Sequence, residues 1–137
     1  MNTQPGASAK PTPELLARLN QTHAALLHVH KALLDHERER FEAKHGSIGT
    51  PADVLQVVIK DPWFAWLRPM TTLITEIDEF VSSKEPLPAA DGEALLAAAK
   101  RMLVPAENGD LFGQNYLRTI QESPDVALAH AEWKRTL

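Results

Sequence analysis

The sequence predicts an all-α protein: a helical bundle of five or six helices with one long N-terminal helix. Three observations carry that expectation. Every clear apolar period recurs at three- and four-residue spacings, as one face of a helix requires. The pairs Thr12-Pro13, Thr50-Pro51 and Ser123-Pro124 read as helix starts, a capping hydroxyl followed by a ring whose φ suits the first turn. Between Pro13 and Gly46 neither Gly nor Pro interrupts the chain.

Taken in order, residues 1–12 are rich in Pro, Gly, Ser, Thr and Ala, without apolar period, and read as a disordered arm before a single domain spanning 13–137. The first helix runs from Thr12-Pro13 to a stop at Gly46. The second opens at Thr50-Pro51 and carries VLQVVI; this β-branched run also suits a strand, but the cap is strong and no partner strand is visible. From Pro62 to Ser83, Trp66, Met70, Leu73, Ile77 and Phe80 share a face, and Pro69 should kink or split that helix near Arg68. A linker at 84–88 precedes a fourth helix over 89–104. A fifth, about 111–122, aligns Phe112, Tyr116 and Ile120, and a sixth after Ser123 aligns Val126, His130, Trp133 and Leu137.

The first helix raises a problem of size. At ~1.5 Å per residue it is roughly 50 Å long, against a diameter of about 35–40 Å for a compact chain of this length. The end HERERFEAKH should therefore overhang. It reads either as a solvated helix end laced with Glu/Arg pairs or as a dimer contact that buries Phe41 on a partner.

Four of the six histidines lie within HAALLHVHKALLDHE, which raises the question of a metal centre. Sorting residues at 100° per position puts Leu16, Leu19, Leu26, Leu27, Leu33, Leu34 and Phe41 on one stripe. His23, His30 and Glu37 share it, while His28 and His36 point away. Seven residues separate His23 from His30, about 10.5 Å of rise, too far for one ion with bonds of ~2 Å. A site would need His130 or a carboxylate from a facing helix. HExxH is absent, and ExxH occurs once, at Glu42–His45, where a di-iron bundle needs two copies. The candidate metal set is accordingly His23, His30, Glu37 and His130. The ordinary alternative is a core network of these residues with Tyr116, Glu37 pairing with Arg68 or Arg118.

The run DPWFAWLRP holds two of the three tryptophans. It reads as an aromatic plug at the bundle end, or as a ligand pocket walled by Trp63 and Trp66 in which Arg68 binds a carboxylate or phosphate. GSIGTP lacks the phosphate-loop pattern, and no GxSxG occurs. With no cysteine, thiolate chemistry and disulfides are excluded. The net charge of −4 gives no field for nucleic acid or an anionic membrane. No run approaches a membrane span and the first residues lack a signal-peptide core, so the expected location is cytoplasmic.

Thr12–Leu137, through HKALLDHERERFE, DPWFAWLRP and PDVALAHA, resembles a family of small bacterial helical proteins of unassigned function. The resemblance implies a bacterial, cytosolic protein and no reaction. The functional expectation is a non-enzymatic bundle acting through protein contacts, with a homodimer as the simplest case. No cofactor is expected. The alternative is a bundle, sensor or enzyme, that binds a divalent metal or small ligand through its inward His and Glu.

Overall fold

A computed structural model describes residues 9–137; the arm expected over 1–12 lies outside them as far as residue 8. Among the described residues six α-helices and one short 3-10 helix follow one another: α1 (Pro13–His45), α2 (Pro51–Lys60), the 3-10 helix (Pro62–Leu67), α3 (Arg68–Ser82), α4 (Ala89–Met102), α5 (Leu111–Glu122) and α6 (Pro124–Arg135). Among the described residues there is no strand, and no helix is long and apolar enough to cross a membrane. The VLQVVI run is helical.

Local chemistry sets the boundaries. The hydroxyls of Thr12 and Ser123 accept the N–H groups of Leu15 and Val126, and Asp110 accepts that of Gly113, each satisfying a donor that a helix start leaves open. Thr50 and Asp53 form a reciprocal capping box. Gly46 ends α1 at φ 89°, a conformation that suits glycine, while its N–H bonds the Glu42 carbonyl at 2.8 Å. Pro69 does split the third segment. It stands in the first turn of α3, where its missing donor costs nothing, and the six residues before Arg68 wind as the 3-10 helix.

The long helix α1 is the spine, flanked by α6, α3 and α4. Its buried residues are Leu15, Leu19, Thr22, Leu26, Val29, Leu33 and Glu37. This face is rotated from the expected stripe: Leu27 is 46% exposed, whereas Thr22 and Val29 enter the core. The leucines cover a wide arc, and the three neighbouring helices select the part of it they can reach. Gly92 marks a close approach of α4, since a Cβ there would lie 2.9 Å from the Phe80 ring and 3.2 Å from Leu15. The carbonyl of Ala9 accepts the Ala89 N–H at 2.8 Å, which ties the entry to α1 to the start of α4.

The far end of α1 does not overhang as a bare helix. The 3-10 helix folds back along it, setting the Phe41 ring 5.6 Å from those of Trp63 and Phe64. Phe41 is thus half-buried within the chain, packed on the rings of Trp63 and Phe64.

Candidate functional site: a buried carboxylate network beneath an exposed apolar helix

Glu37 faces inward from α1 and is 1% exposed. A carboxylate so placed is costly unless its oxygens are bonded. Here both are. Oε1 accepts from Nη2 of Arg118 on α5, and Oε2 accepts from Arg40 Nη1 at 2.8 Å and from the Trp63 indole N–H at 2.9 Å. The two arginines continue to Glu122, Arg118 at 2.8 Å and Arg40 at 3.6 Å. His36 lies 2.9 Å from the same Glu122 oxygen. Burial raises the Glu122 pKa, but bonds from His36 and Arg118 and the charges of Arg118 and Arg40 outweigh it and hold the carboxyl below its usual value. Two guanidinium groups face two carboxylates, so their formal charges balance. The cluster ties the far end of α1 to the 3-10 helix and to α5.

The residues read as an aromatic plug or a ligand pocket are brought together only in part. Trp63 and Trp66 do border a shallow groove of about 200 Å³, with Glu37, Arg40, Asn115 and Arg118. Arg68 is not part of it: its Nη2 donates to the Ile59 carbonyl at 2.8 Å and closes the C-terminal end of α2. Arg40 takes the place by the aromatics, its guanidinium 5.0 Å from the Trp63 ring centre. Trp66 leans on Phe112 at 5.3 Å, its indole N–H buried without an acceptor among the described residues.

The expected metal ligands are dispersed. His30 Nε2 lies 3.2 Å from the Thr71 hydroxyl, in the seam between α1 and α3. Burial pushes its pKa down. His130 Nδ1 meets the Tyr116 hydroxyl at 2.7 Å between α5 and α6. Burial pushes the Tyr116 hydroxyl up, and burial with the nearby Lys134 pushes His130 down. A neutral His130 accepting the phenolic proton satisfies both groups. Glu37 belongs to the arginine cluster and His23 is half-buried on α1. Among the described residues, no three His, Asp or Glu side chains gather where they could hold an ion. Sequence reasoning paired Glu37 with Arg118 as one of two options, but missed Trp63 as its donor. It also placed His36 in solvent, whereas its side chain is only 14% exposed.

The main packing partner of α2 is the 3-10 helix that carries Trp63. Val54, Val57 and Val58 are half-buried, Val57 and Val58 against the core, and Leu55 and Ile59 are 57% and 53% exposed. The capping box holds one end of α2 and Arg68 the other, while the network fixes the 3-10 helix through Trp63.

The chain matches no protein-family model, no curated protein and no solved structure. The functional reading therefore rests on the geometry of these elements.

Proposed function

We propose that the protein is a non-enzymatic helical bundle that acts through protein–protein contacts, with α2 as its docking helix. The observation that carries this reading is the state of α2: five of its ten residues are Val, Leu or Ile, and none of the ten is buried. A helix this short is marginal in water by itself, because most helical stability comes from packing an apolar face. The fold nonetheless holds α2 in place from both ends while its outer residues add nothing to the core. A covering partner supplies the missing burial. The groove beside Trp63 and Trp66 supports a ligand less well, since an incoming anion would have to displace Glu37 or Glu122 from the two arginines.

Photo-cross-linking in cells tests this. A benzophenone side chain at Gln56, on the outer face of α2, should give discrete protein adducts, and the same probe at exposed Glu93 on α4 should not. The double variant Leu55→Glu/Ile59→Glu should abolish the adducts without lowering the melting temperature. A probe at Gln56 that captures nothing, or no more than one at Glu93, would sink the reading.

A further inference from the structure

We infer that the partner of α2 is the α2 of a second copy of this chain, packed antiparallel across a two-fold axis. The inference rests on the docking reading above and names its partner. The argument is one of pattern. After Pro51 the exposed residues of α2 are Ala52, Asp53, Leu55, Gln56, Ile59 and Lys60. At 100° per residue, Ala52 and Gln56 lie along the middle of this face. Leu55 and Ile59 form one border, and Asp53 and Lys60 the other, roughly 10 Å apart along the axis.

Orientation follows from which borders meet. In a parallel helix pair each border faces the opposite border of its partner, which would set Leu55 and Ile59 against Asp53 and Lys60. In an antiparallel pair each border faces its own kind. Leu55 and Ile59 then meet their own copies, and Asp53 of each copy lies over Lys60 of the other. The helix dipoles also favour that direction. A two-fold contact needs a self-complementary patch, and this face is one. Lys60 has no ion-pair partner among the described residues. Asp53 closes its capping box through Oδ2.

Size sets the strength. A ten-residue helix offers ~15 Å of seam, so the contact falls at or below the ~1,200 Å² lower bound of stable interfaces. The dimer should be weak, dissociating in the micromolar to sub-millimolar range.

Sedimentation of the full chain from micromolar to near-millimolar concentration gives the test. Wild type should pass from monomer to dimer, and Leu55→Glu/Ile59→Glu should stay monomeric. Lys60→Glu sets two carboxylates against each other and should weaken association about five- to twentyfold. Asp53→Lys should weaken it too, partly because it also removes the capping box. An equimolar mixture of the two charge variants restores both opposite-charge pairs and should associate more tightly than either variant alone. A wild type that stays monomeric, or a mixture no tighter than its components, overturns the inference. Cross-links from Gln56 that persist in either case leave the docking reading standing, and their absence removes that reading first.

Discussion

At the scale of single residues, Glu37 decides how the far end of the molecule is held. Its carboxylate is the common acceptor of Arg40, Arg118 and the Trp63 indole, which arrive from three different elements. Replacing it with Leu roughly keeps the volume but leaves the Trp63 N–H without its acceptor and the two arginines with one carboxylate, Glu122, between them. Both arginines keep partial contact with water and with Glu122, which limits the damage. Glu37→Leu should therefore cost about 2–4 kcal/mol, read from urea midpoints, with a change in tryptophan emission as Trp63 loosens. A loss under about 0.5 kcal/mol would mean that the network is ornamental. The sequence showed Glu37 on the apolar side of α1 by its seven-residue spacing from His30. It could not show Trp63 as a donor, because that depends on how an indole turns after the 3-10 helix folds back. His36 was misplaced for a related reason: helical angle describes one helix, and Glu122 comes from another.

At the scale of elements, the helix starts were legible because capping is local chemistry within four residues. The split at Pro69 was legible because a ring without an N–H is tolerated only in a first turn. The exact face of α1 was not, since seven leucines spread over a wide arc leave the choice to the neighbours. The same logic separates two caps of equal chemistry. Thr50 caps α2, which buries no residue, whereas Ser123 is itself buried where α5 passes into α6. Thr50→Ala should cost about 1 kcal/mol in α2 alone. Amide exchange in α2 should quicken several-fold while the global urea midpoint holds. Ser123→Ala should lower that midpoint, because its cap belongs to the cooperative core. Equal global losses from the two variants would show that α2 unfolds with the bundle and contradict its assignment as a separate outer element.

At the scale of the whole molecule, two histidines held toward the neutral form sit in different helix seams, His30 between α1 and α3 and His130 between α5 and α6. Both have folded pKa values below the usual 6.5. The sign follows from proton counting. Well above pH 6.5 neither the folded nor the unfolded chain binds these protons, and the full stability is present. As pH falls below that value the unfolded chain takes them up first, so stability drops until the folded pKa is reached and is level below it. Each group contributes at most about 1.4 kcal/mol per pH unit. His28 and His36 lie beside Glu132 and Glu122. The decisive quantity is the difference between wild type and a variant. His30→Leu leaves no orphan, because the Thr71 hydroxyl also reaches the Leu67 carbonyl. It should match wild type near pH 7.5 and exceed it at pH 5.5. Tyr116→Phe/His130→Leu removes both halves of the other pair and should flatten the slope independently. The seams share no member, so the two effects should add. Parallel wild-type and His30→Leu profiles from pH 7.5 to 5.5 would mean that His30 titrates alike in the folded and unfolded chains, and that the α1–α3 seam is open to water at its centre.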